Sequence, residues 1–169
     1  MKKQLAIMII VFSTIGAYAQ HDRKAHASSS QEKGTASFKD ENLNTAYMHY
    51  LHLKDALVSS NAGEAKEAAG ELQKSLASLS NATKRAEGVE KISASSDIEL
   101  QRASFSSLSN EMTTLVKASK LASGSLYVEY CSMANNNQGA FWLSNEKEVK
   151  NPYFGDMMLK RGLVKETLQ

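Results

Sequence analysis

Cys131, the only cysteine of the chain, is followed two residues later by Met133. A thiolate and a thioether together form a ligand set that favours copper(I) over hard ions. If the segment is extended, both side chains project to the same face. Met158, with Met157 beside it, lies downstream and offers a further sulfur. His49 and His52 are three apart on a helical stretch, a spacing that lets two imidazoles approach one ion. Turning each residue by about 100° places His52 opposite the apolar stripe and His49 near its edge. The candidate ligands are therefore Cys131, Met133, Met158 and His49, with copper(I) as the expected ion. The competing reading is packing, because Cys and Met are both common core residues.

Other chemistries find less support. A nucleophilic Cys131 needs a base and an orienting group, and only the helical histidines are on offer. Glu64, Glu67 and Glu71 follow helical spacing and read as a solvated face. Glycine-rich phosphate loops and paired zinc-type cysteines do not occur in the sequence. The expectation is a protein that is not an enzyme. Phe141, Trp142, Tyr153 and Phe154 can form a stacking platform, but the favoured role is to pin an irregular segment onto the body and so offset its ordering entropy.

The elements that must position these residues read as mainly helical. Leu43, Ala46, Tyr50, Leu53 and Leu57, widened by Tyr47, Leu51 and Val58, predict a first helix over residues 40–60. Asn61 with Glu64 marks the start of a second, whose Ala65, Ala68, Ala69, Leu72, Leu76 and Leu79 make one face. Residues 87–95 read as a polar connection. Ser96 and Glu99 form a capping box for a third helix carrying Ile98, Phe105, Leu108, Met112, Leu115 and Ser119, with Gly124 as its stop. Residues 125–130 alternate like a strand, Asn135 to Gly139 is a turn, and Ser144 caps a short helical turn that ends at Asn151-Pro152. The predicted fold is an antiparallel bundle of three long helices with an irregular C-terminal extension containing short strand or helical turns.

Residues 1–19 combine Lys2 and Lys3 with an apolar run and end in Ala17-Tyr18-Ala19, the pattern of a cleaved signal peptide. Residues 20–37 are polar and read as a disordered tether, leaving 38–169 as a single domain. His21 and His26 in the tether read as solvated. Losing the two leader lysines brings the 20 basic residues of the chain level with its 18 acidic ones. A formally neutral product gives no argument for nucleic acid, and the short apolar run gives none for membrane insertion after cleavage. The expected location is the periplasm, where a lone cysteine is buried, joined to another molecule, or bound to metal.

Several separated motifs resemble a known family. They are Tyr50-Leu51-x-Leu53-Lys54-Asp55-Ala56-Leu57-Val58, Ile98-x-x-Gln101-Arg102-x-x-Phe105-x-x-Leu108-Ser109, Tyr130-Cys131-x-Met133-Ala134, Gly139-Ala140-x-Trp142-Leu143-Ser144, and Asn151-Pro152-Tyr153-Phe154-Gly155-x-x-Met158-Leu159. Together they are similar to domain of unknown function 3347, a family of exported bacterial proteins that is also appended to periplasmic adaptor subunits of heavy-metal efflux pumps. The resemblance implies metal handling, with an efflux adaptor or another envelope protein as partner. Many relatives carry Pro at position 132 and a second Cys at position 161, where this chain has Ser132 and Arg161. The first expectation is thus a periplasmic accessory that binds or delivers a soft metal ion, most plausibly copper, in a heavy-metal efflux context. The second is a non-catalytic helical interaction module of the envelope that binds no metal.

Overall fold

A computed structural model describes residues 35–79 and 86–169. The signal peptide predicted for residues 1–19 and all but the last three residues of the predicted tether lie outside the described residues. Those last three belong to the fold: Thr35 bridges to Ser125, and Ala36 is buried.

The described residues form four helices of nine residues or more and two antiparallel sheets, rather than a three-helix bundle with C-terminal turns. β1 (Ser37–Phe38) leads into α1 (Glu41–Val58), capped by the Asp40 carboxylate, which accepts from the Asn42 and Leu43 amides. α2 (Ala62–Ala77) starts at the Asn61–Glu64 pair, as its sequence predicts: Glu64 N–H donates to Asn61 Oδ1, and Asn61 Nδ2 donates to the Glu64 carboxylate. α4 (Ile98–Ala118) is capped one residue later than expected, by Asp97 in place of Ser96.

The first correction falls between these helices. Residues 87–95, read as a connection, lie almost wholly within α3 (Ala86–Ala94). Its only large apolar residues are Val89 and Ile92, both fully buried. Two core residues in nine are too few for a periodicity argument to register. Gly88 lets α3 lie against α4, because a Cβ there would stand 3.2 Å from Leu108 Cβ.

The second correction is the C-terminal extension, which is a sheet. β3 (Leu126–Cys131), the strand that alternation predicts, is central; β4 (Ala140–Ser144) and β5 (Leu163–Leu168) flank it antiparallel. β2 (Leu121–Ser123) pairs with β1 where a helix stop at Gly124 was expected. After Ser144 no helical turn forms, although Ser144 Oγ still accepts the Glu146 N–H at 3.0 Å. β4 hides from a pattern search because Trp142, Leu143 and Ser144 are buried in succession, so nothing alternates. β5 is the reverse, exposed along most of its length. It carries an extra residue opposite the Val128/Glu129 step, and this bulge together with Lys165 and Glu166 blunts an open edge against further pairing.

One core joins helices to sheet. Leu43, Leu53 and Leu57 of α1, Leu72 and Leu76 of α2, and Phe105, Leu108 and Met112 of α4 are all fully buried, as is Trp142 of β4. No helix among the described residues is long and apolar enough to cross a membrane.

Candidate functional site

The hairpin of β3 and β4 is seated on the helices by tyrosine hydroxyls. β4 is an edge strand, yet the Leu143 N–H is accepted by Tyr50 Oη at 3.0 Å, and Tyr153 Oη donates to the Phe141 carbonyl at 2.8 Å. Tyr50 Oη also shares a 2.7 Å hydrogen bond with Ser109 Oγ of α4. The rings run in sequence: Tyr50 stacks on Phe105 at 5.4 Å, Phe105 meets Tyr153 at 5.7 Å, and Tyr153 meets Trp142 at 5.9 Å. Burial drives the pKa of Tyr47, Tyr50 and Tyr153 above the ordinary phenol range, so all three stay neutral donors and acceptors. Trp142 and Tyr153 of the extension are buried anchors, as the sequence favours.

The proline segment is held with equal care. Asn151 Oδ1 accepts the Tyr153 N–H at 2.9 Å, and Asn151 Nδ2 donates to the Arg161 carbonyl at 2.6 Å. Arg102, only 5 % exposed, ties this segment to the helices. Its Nε donates to the Pro152 carbonyl, Nη2 to the Leu57 carbonyl and Ser60 Oγ, and Nη1 to Glu99. Gly155 passes so close, at φ 54°, that a Cβ would lie 2.7 Å from Arg102 Nη2.

The four predicted ligands are distributed over this framework. Cys131 ends β3 opposite Ala140, with its thiol 2 % exposed beside Tyr153. Met133 is half-buried just beyond, and Arg161 Nη2 donates to its Sδ at 3.2 Å. Met158 closes the 3-10 turn Gly155–Met158 and is half-buried, while Met157 is exposed. His49 looks toward α2, where it and, more strongly, Lys74 hold the Glu71 carboxyl below its usual range. His52 is at the surface with Glu64 at 2.9 Å. The structure thus brings Cys131 and Met133 to one end of the sheet and leaves His49 on another face. Among the described residues no group of three or more His, Cys, Asp or Glu side chains is arranged to hold a metal ion.

Next to Met133 opens a groove of about 320 Å³ between the first turns of α4 and the loop joining β3 to β4. Glu99, Arg102, Met133 and Phe154 line it, together with Asn135, Asn136 and Asn137. These three asparagines adopt left-handed backbone conformations in succession, with φ of 52°, 56° and 64°. Asn tolerates that region better than other residues with a side chain, yet a run of three is unusual. Gly139 completes the reversal at φ 81°, where a Cβ would meet Tyr130 Oη at 2.1 Å. Sequence reading recognised the turn but not the groove, because Glu99 and Arg102 come from a helix thirty residues earlier.

A buried carboxylic acid also escaped the sequence. Alternation places Glu129 with Tyr127 on the solvent side, but β3 is central and Glu129 is fully buried. Neither of its oxygens makes a hydrogen bond among the described residues. Desolvation pushes its pKa up to about 8, against the weaker opposing pull of the Trp142 indole N–H, close by but outside hydrogen-bond geometry, and of Lys54. Lys54 is itself 3 % exposed and ion-pairs with Asp55 at 2.5 Å.

No curated protein and no solved structure matches this chain. A family match does exist, and it covers the helices from within α1 to the turn after β2; the Cys131 and Asn151-Pro152 motifs lie outside it. Residues 46–124 match the model of a family described as a protein of unknown function, DUF3347, and over that segment the chain is similar to that family.

Proposed function

We propose that this chain is a non-catalytic interaction module, exported through residues 1–19 to the periplasm, which docks an extended segment of an envelope protein in the groove beside α4. An adaptor subunit of a heavy-metal efflux pump is the leading partner. The observation that carries this reading is the row Asn135, Asn136 and Asn137, held left-handed along the wall of the groove. Residues kept in sparsely populated conformations cluster where binding needs them. Each amide side chain offers donors and an acceptor together, the complement of the paired N–H and C=O groups of an extended main chain. Phe154 adds apolar contact, and Glu99 and Arg102 neutralise each other, so the groove suits a polypeptide more than a highly charged ligand.

The copper(I) reading, which ranks first on the sequence alone, draws less support from this geometry. His49 lies on the α2 side of α1, and the Met133 thioether already accepts from a cation.

The test is site-specific photo-cross-linking in the envelope. A cross-linker at Ala103, an exposed residue of α4 that lines the groove, is expected to capture the adaptor, and one at Lys66 on α2 is not. Phe154→Arg in the same chain should abolish the product. Equal capture from both positions, or capture that survives Phe154→Arg, would overturn the reading.

A further inference from the structure

The soft-donor pair at the end of β3 has a neighbour that changes what it can hold. Arg161 Nη2 donates to Met133 Sδ at 3.2 Å, and a guanidinium keeps its charge at every relevant pH. Its backbone is fixed on both sides: Arg161 N–H donates to the Met158 carbonyl at 2.9 Å, and its own carbonyl accepts from Asn151 Nδ2 at 2.6 Å. The β3–β5 ladder ends at the Tyr130–Leu163 pair, and Arg161 stands two residues before β5, at the end of the sheet where the chain leaves β3 for Ser132 and Met133. The side chain at 161 therefore determines what can stand against the Met133 sulfur.

We propose that Arg161 is the resident cation of this pair and closes it to soft metal ions. A copper(I) ion and a guanidinium compete for the same sulfur lone pairs, and an ion seated against Met133 while Arg161 stays in place meets an adjacent positive charge, with Met133 half-buried and Arg161 on the exposed side of the contact. The thiol of Cys131, 2 % exposed, offers no independent approach. The soft metal ion expected from the Cys131–Met133 donor set and from the metal handling that the family resemblance implies therefore does not fit the residues present, and the misfit rests on one side chain. This inference stands apart from the docking groove and does not depend on it.

Anaerobic titration of the mature protein with copper(I), in competition with a chromophoric chelator, tests the proposal. Wild-type protein is expected not to compete. Arg161→Met and Arg161→Gln, checked for folding by circular dichroism, are expected to compete with affinity raised by about tenfold, as removal of a unit charge at a solvent-exposed contact allows. The gain should vanish when Cys131→Ser is added to Arg161→Met. Arg161→Lys, which retains the charge, should stay closed. Wild-type binding as tight as that of Arg161→Met and dependent on Cys131 would overturn the proposal. So would folded Arg161→Met and Arg161→Gln that gain nothing. If neither variant folds, the Met133 methyl resonance of wild-type protein decides: unmoved by copper(I) it supports closure, and shifted it refutes it.

Discussion

Tyr50 Oη accepts the Leu143 amide at 3.0 Å, so a side chain of α1 satisfies the backbone of a strand ninety-three residues later. The same oxygen meets Ser109 Oγ, which makes it the point where α1, α4 and the sheet are joined. An edge strand normally leaves such groups to solvent. Here the edge is buried, and leaving a buried N–H without a partner costs about 1–3 kcal/mol.

Tyr50→Phe should therefore lower stability by about 1–3 kcal/mol in urea unfolding, with amide exchange at Leu143 accelerated more than exchange in α2. A loss spread evenly over all helices would show that the hydroxyl does not seat the hairpin.

Arg102→Met should cost about 3–5 kcal/mol, because it leaves the Pro152 carbonyl without the guanidinium and removes its bonds to Ser60 Oγ and to the Leu57 carbonyl, which keeps the Ser60 N–H. Gly155→Ala should resemble it in direction, since its Cβ would displace the same guanidinium. Thermal unfolding of both variants checks this, and a change below about 0.5 kcal/mol in Arg102→Met would contradict the clamp.

Glu129 sets a pH dependence whose sign follows from its raised pKa. Between about 4.5, the ordinary value, and about 8 the folded state holds a proton that the unfolded state releases. Stability from this group is full below the unfolded value and is lost as pH rises through the folded one. Glu129→Gln should remove that decline and exceed wild type above pH 8, by on the order of a few kcal/mol. Urea unfolding at about pH 5 and pH 9 distinguishes the two, and parallel profiles would place the carboxyl outside the core.

Asn136→Gly should leave stability within about 1 kcal/mol of wild type or raise it, because glycine removes the left-handed cost. It should at the same time weaken capture of a docked segment, since the amide is gone. Undiminished capture would assign the left-handed row a purely structural role.

The helices were largely legible in the sequence, and for a physical reason. Leu43, Leu53 and Leu57, or Leu72 and Leu76, recur at helical spacing because one face of each helix meets the core, and Asp40 and Asn61 act within a few residues of where they stand. α3 was lost because Val89 and Ile92 are too sparse to make a stripe. The sheet was lost because β4 is buried on consecutive residues and β5 is mostly exposed, so neither shows the alternation that marks a half-buried strand.

The soft character of Cys131 and Met133 belongs to the sequence alone, as do the Asn61 cap, the apolar faces and the turn at Asn135 to Gly139. Residue type and near spacing fix them before any long-range contact forms. What surrounds those residues was decided only by tertiary structure: Arg161 against Met133, Glu129 enclosed on a central strand, Tyr50 beneath Leu143, and the groove that α4 shares with the asparagine turn. Each of these depends on strand order and on which face a helix presents, and neither quantity is set by residues close together in the chain.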